Sequence, residues 1–161
     1  MNKTSWIDQI ISGQIVKGKG SLKTQSKLLD DLKLDHQKII DSRNLLLNEG
    51  ENLAYPQLKS EINQMLNEKT RHARLVAELI SRLGGKMVEN QTQAASSLAK
   101  GNFKAVFSLE TELNELLTEH ANFAEDYGFF EISDSLRSIR NQKAQLNEQL
   151  ERIIMRINTE I

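Results

Sequence analysis

Along most of this chain, apolar residues recur at the three- and four-residue spacing that places them on one side of an α-helix. The clearest stripe is Leu58, Ile62, Met65, Leu66, Lys69, His72, Ala73, Val76, Leu79, Ile80 and Leu83, which predicts a helix over about 57–83. Pro56 suits its first turn, and Gly84-Gly85 suits a left-handed C-terminal cap. A helix before it is expected from about Ser21 to Asn48, with Leu28, Leu29, Leu32, Ile39, Ile40 and Leu47 on one side and Gly50 as its stop. Two further helices follow. The third opens on Asn102 as N-cap and runs to about Tyr127, with Phe103, Val106, Phe107, Glu110, Leu113, Leu117, Ala121 and Ala124 inward. Gly128 breaks the chain, and the fourth carries Phe129, Ile132, Leu136, Ile139, Lys143, Leu146, Leu150, Ile153, Ile154 and Ile157.

At ~1.5 Å per residue these helices are roughly 35–45 Å long, the dimensions of one elongated four-helix bundle. The short first and third connections make two antiparallel pairs. The connection over 86–101, polar and small with Ala94-Ala95 and Leu98-Ala99 suggesting a turn or two of helix, is long enough to cross the bundle's length. Residues 1–20 stand apart. Trp6, Ile7, Ile10 and Ile11 predict a short amphipathic helix that packs on the bundle or on a partner subunit, and Gly13 and Gly18-Lys19-Gly20 break it. The expected organisation is therefore an amphipathic segment over 1–20 and a single all-α domain over 21–161.

The polar residues that interrupt the apolar stripes are themselves ordered. An internal repeat at an offset of 74 residues matches His36, Lys69 and His72 with Glu110, Lys143 and Leu146. His36 and Lys69 are 33 residues apart, as are Glu110 and Lys143. That spacing suits two antiparallel helices bringing both groups to one level of a shared core.

Composition narrows the chemistry. With 21 basic and 22 acidic residues the formal charge is −1, so there is no electrostatic case for nucleic acid or an anionic membrane as main partner. The absence of cysteine removes disulfides, thiolate metal sites and a cysteine nucleophile. One proline and eight glycines favour long helices over sheets. No apolar run approaches the ~18 residues of a membrane span, and the opening residues lack a small-residue cleavage site. A cytoplasmic protein is expected. No Gly-rich phosphate loop, Ser-His-Asp set or zinc-finger spacing occurs.

Helix two closes on Arg71-His72-Ala73-Arg74-Leu75-Val76-Ala77-Glu78-Leu79-Ile80-Ser81-Arg82-Leu83-Gly84-Gly85. Phe123-Ala124-Glu125-Asp126-Tyr127-Gly128-Phe129-Phe130-Glu131-Ile132, with Leu136-Arg137 and Ile139, forms the turn between helices three and four. Over roughly residues 25–157 these stretches resemble the ferritin-like superfamily, especially its bacterioferritin and rubrerythrin branches. That family builds a di-iron or di-manganese centre from a lone Glu on each of two helices and a Glu-x-x-His on each of the others. The resemblance implies that the first lone Glu falls on His36, the first Glu-x-x-His on Lys69 and His72, the second lone Glu on Glu110, and the last pair on Lys143 and Leu146. Only His72 and Glu110 keep the family residue. Glu68 is one residue off the motif and is expected to face away from the pocket. A hemerythrin-like assignment, suggested by Asp35-His36 and Glu119-His120, fails because Val76 stands four after His72 and helix four has no His.

Two readings of this layer compete. In the first, Lys69 and Lys143 occupy the place and charge of the metals, with Glu110 as counter-ion and His36 and His72 completing a buried polar network. In the second, His36, His72 and Glu110 form a two-His, one-carboxylate site for one Fe, Mn or Zn ion, a ligand set that would suit an oxidoreductase. His120 reads as a packing histidine, Tyr127 and Phe129 as core or end-cap residues, and 100–104 and 148–156 as solvated surface. The first reading leads to a bundle without its dinuclear centre, with no cofactor and no catalytic residue. It would act as a structural, assembly or partner-binding module with an unknown protein partner. A homodimer or larger homo-oligomer is expected, using Trp6 and the neighbouring isoleucines.

Overall fold

The computed structural model describes residues 21–51, 53, 55–87 and 103–159. Among them lie four α-helices and no strand: α1 (Ser21–Glu51), α2 (Pro56–Arg82), α3 (Lys104–Asp126) and α4 (Phe130–Thr159). The amphipathic segment expected over 1–20, the proposed Asn102 cap and the helical turns around Ala94 and Leu98 lie outside the described residues.

Each helix buries the face its periodicity marks. On α2 the expected residues from Leu58 to Leu83 are all buried, with Lys69 and His72 in line among the hydrophobics. Pro56 occupies the first turn, where its missing N–H has no intrahelical partner to lose. Gly84, at φ 79°, ends the helix in the left-handed region, and Gly85 N–H returns to Ile80 O at 2.9 Å. Gly128, at φ 84°, ends α3 the same way, with Phe129 N–H bonded to Ala124 O at 2.8 Å.

Three expectations change. Gly50 does not stop α1, which runs on to Glu51. Its role is steric: a Cβ there would sit 2.7 Å from Ile62 Cγ2, so the missing side chain lets α1 and α2 approach closely. The buried line of α1 is Leu28, Leu32, Asp35, Ile39, Ser42 and Leu46, while Leu47 is 37% exposed. Within the run Leu45-Leu46-Leu47, the 3.6-residue period carried through Ser42 selects Leu46. Leu29, Ile40, Phe107, Ile154 and Ile157, all expected inward, are only partly buried.

The helices are neighbours in antiparallel pairs. Gln25 meets Leu83 O at 3.1 Å and Arg43 meets Thr70 at 2.8 Å, setting α1 against α2. Arg82 to Glu131 at 3.1 Å and Arg156 to Glu61 at 2.8 Å set α2 against α4. Arg137 to Asn122 at 3.0 Å and Arg140 to Thr118 at 3.3 Å set α3 against α4. Contacts of Asp35 with His120 and of Ser42 with Glu110 set α1 against α3. Hence α1 runs parallel to α4, and α2 to α3.

The buried hydrophobics form two clusters, one at each end of the bundle. One contains Leu28, Leu83, Ala124 and Phe129, and the other Leu46, Leu58, Phe103 and Ile153. Leu83, after α2, and Phe103, before α3, therefore sit at opposite ends. Between the clusters every helix contributes polar residues: Ser42, Lys69, His72, Glu110, Gln142 and Lys143.

Candidate functional site

A carboxylate in an apolar core is stable only when its lone pairs are taken by donors. Glu110, on α3 and 1% exposed, has both oxygens engaged. Oε1 accepts from Ser42 Oγ of α1 and Lys69 Nζ of α2, and Oε2 accepts from Lys143 Nζ of α4. All four helices thus converge on one side chain. Lys69 and Lys143 are each 1% exposed and rank among the largest fully buried side chains described.

The electrostatics follow from this enclosure. Burial alone would raise the pKa of Glu110, but the charges and hydrogen bonds of the two lysines overcome it and hold the carboxyl at about 2. Lys143 is pushed down to about 8, first by burial and then by repulsion from Lys69, with Glu110 opposing both. One carboxylate faces two amines, so the layer lacks a second acidic partner.

His72 is fully buried, and its pKa is lowered chiefly by burial. Its Nε2 lies 2.8 Å from Gln142 Oε1, an amide oxygen that also accepts from Arg71. As Gln142 Oε1 can only accept, Nε2 carries the proton, and Nδ1 is a buried acceptor without a partner. Glu68 stands at the layer's edge, 3.9 Å from His72 Nε2, but is 44% exposed and paired with Arg71 at 3.0 Å.

His36 is not one of Glu110's partners. It is buried at 7% exposure, with its pKa lowered by burial, and it falls between Leu32 and Ile39 of the first apolar cluster. The antiparallel register explains this. Ser42 is the α1 residue that meets Glu110, and His36 stands six residues before it, roughly 9 Å away along the axis. The layer's α1 member is Ser42 instead.

The ion site expected from His36, His72 and Glu110 is accordingly not assembled. Among the described residues no group of three or more His, Asp or Glu side chains is arranged to hold a metal ion. Both oxygens of Glu110 are engaged by amines and a hydroxyl, and His36 is not among its partners. The dinuclear set implied by the resemblance fits no better, because Lys69 and Lys143 replace donors with cations.

His120 has a more specific environment than packing alone. Its Nδ1 lies 2.8 and 2.9 Å from the two oxygens of Asp35, which is fully buried, and its Nε2 lies 3.6 Å from Asp31. Burial would lower the His120 pKa, but the two aspartates raise it. Asp31 also pairs with Lys27 at 2.7 Å, and Lys27 Nζ sits 4.2 Å above the Phe123 ring. The nitrogens of His120 point to different carboxylates, so this cluster clasps α1 to α3 and does not converge on a ligand.

Sequence reasoning missed Ser42, Gln142 and the Asp35–His120 pair. Asp35 and Ser42 were visible as polar residues seven apart on the buried line of α1. Gln142 had no signal, since its meeting with His72 depends on the register of α2 against α4. Cavities of about 520 Å³, beside Phe107, Ile154 and Met155, and about 200 Å³, beside Leu47, Ile62 and Leu66, are lined by none of the Glu110 layer. No protein-family model, curated protein or solved structure matches this chain.

Proposed function

We propose that this chain is a ferritin-like bundle in which a buried Lys69–Glu110–Lys143 triad has replaced the dinuclear centre. It acts as a non-catalytic structural, assembly or partner-binding module. The observation that carries this reading is that both oxygens of Glu110 are taken by lysine amines. A divalent cation at that point would face two amines and only one carboxylate, so repulsion replaces the charge balance of a four-carboxylate site. The antiparallel neighbours support the ferritin-like topology, as do the opposite ends occupied by Leu83 and Phe103, which a long crossover would join.

The non-catalytic part rests on access and partners. Lys143 has the lowered pKa of a reactive amine, yet its side chain is 1% exposed and locked to Glu110. Association into a homo-oligomer in the cytoplasm completes the proposal. The exposed Leu22 and Met155 offer it apolar surface, and no described helix is long and apolar enough to cross a membrane.

Metal analysis of tag-free protein, followed by anaerobic titration with Fe(II) and Mn(II), tests the proposal. The wild type should bind neither stoichiometrically, and the K69E/K143E variant should gain binding that H72A then weakens. Stoichiometric metal in the wild type, lost on H72A, would overturn it.

A further inference from the structure

The end of the bundle where α1 begins and α3 turns into α4 exposes two aromatic side chains. Phe130 is 62% exposed and Tyr127 is 52% exposed, and the Tyr127 ring packs at a tilt with its centroid 4.7 Å from that of Phe123, which Lys27 of α1 covers. Four acidic residues border the two aromatics within 125–134, of which Glu125 pairs with Arg137 and Glu131 with Arg82, while Asp126 and Asp134 complete the acidic edge. Exposed aromatics gathered at one place mark a contact surface more often than scattered single residues do.

The chain carries a matching element joined to this same end. Residues 1–20 lead directly into α1 and combine Trp6, Ile7, Ile10 and Ile11 with Lys3, Lys17 and Lys19 against the single acid Asp8. They lie outside the described residues, but their reach is set by chain length. The nine residues between Ile11 and Ser21 extend to roughly 30 Å, more than the width of a four-helix bundle.

We infer that residues 6–11 dock on the aromatic surface of Tyr127 and Phe130 in the same chain, with the lysines of the segment facing the acidic border. The tether favours this occupant over a second copy. A link of only nine residues holds the segment at an effective concentration on the order of millimolar, above any ordinary concentration of free chains. This inference does not depend on the fate of the metal site.

Trp6 is the only tryptophan in the sequence, so its fluorescence reports on the segment alone. The full-length protein should show blue-shifted emission and several-fold weaker acrylamide quenching than in urea, independent of protein concentration. Y127S/F130S should restore the quenching seen in urea while the helical circular dichroism is kept. I7S/I10S, which leaves the described bundle untouched, should do the same. Trp6 as accessible in the native protein as in urea would overturn the inference. So would shielding that arises only with rising concentration, marking a second copy, or only on adding anionic vesicles. Shielding that survives both double variants would also overturn it.

Discussion

Glu110 of α3 and Lys143 of α4 bond directly across the core, whereas His36 and Lys69, with the same 33-residue separation in the first half, do not. Lys69 reaches across to the same Glu110, so the two halves share one acceptor. The repeat is symmetric in sequence and asymmetric in chemistry. Four helices meet at a single carboxylate, so loss of Glu110 strands polar partners on the other three.

Replacing Glu110 with Ala should cost about 3–5 kcal/mol, because it strands two buried amines without an acceptor. Glu110→Gln should cost nearly as much, since the amide keeps the shape but not the charge. The triple variant E110L/K69M/K143M should recover most of that loss, and could equal the wild type in urea unfolding, because well-packed apolar groups replace the triad at little net cost. A triple variant as unstable as E110A would show that the triad stabilises the fold in its own right.

Alkaline pH should strengthen the fold before it weakens it. Lys143 has a folded pKa of about 8 against 10.5 for the unfolded chain, so between those values the unfolded state binds the extra proton. Stability therefore rises with pH through this window, by up to about 3 kcal/mol in order of magnitude. Urea midpoints measured from pH 7.5 to 10 should climb in the wild type and stay flatter in K143M.

What the sequence revealed and what it hid divide along physical lines. Lys69, His72, Glu110 and Lys143 were legible because each interrupts a long apolar stripe at a core position, and a helical period fixes which residues face inward. Their partners were not, because Ser42 and Gln142 meet Glu110 and His72 only through the axial register of antiparallel helices. The internal repeat pointed to His36 as the fourth member. The α1 residue that reaches Glu110 is Ser42, so the register of α1 against α3 departs from the symmetry that brings the equivalent Lys69 and Lys143 to one level. Gly50 misled for another reason. A glycine late in a helix reads as a stop, yet here it gives Ile62 room to pack.

That steric role makes Gly50→Ala informative. Alanine would favour the helix by about 1 kcal/mol through propensity alone. Its Cβ, however, would meet Ile62 Cγ2 at 2.7 Å, and Ile62 is buried at 2% exposure with little freedom to yield. Overpacking of this kind typically costs about 1–3 kcal/mol, so G50A should be destabilising on balance. Adding Ile62→Ala, which removes Cγ2, should make the pair less damaging than the sum of the single changes. Simple additivity would show that the two helices do not touch at this point.

Acid should act on the fold in opposite directions through different histidines. His36 and His72 have folded pKa values below 6.5, so the unfolded chain gains protons first and stability falls as pH drops below that value. Glu110 adds a second loss between 4.5 and about 2, where its carboxylate is finally protonated. His120 works the other way, since Asp35 and Asp31 raise its pKa. Its stabilisation is complete below 6.5 and fades as pH rises through the folded value. H72Q should therefore flatten the decline below pH 6.5, whereas H120Q should lower stability most at pH 6 and least above the folded pKa of His120. Urea unfolding at half-unit steps from pH 5 to 9 separates the two. An H120Q deficit that grows with pH would mean that the Asp35–His120 clasp is held by a neutral imidazole.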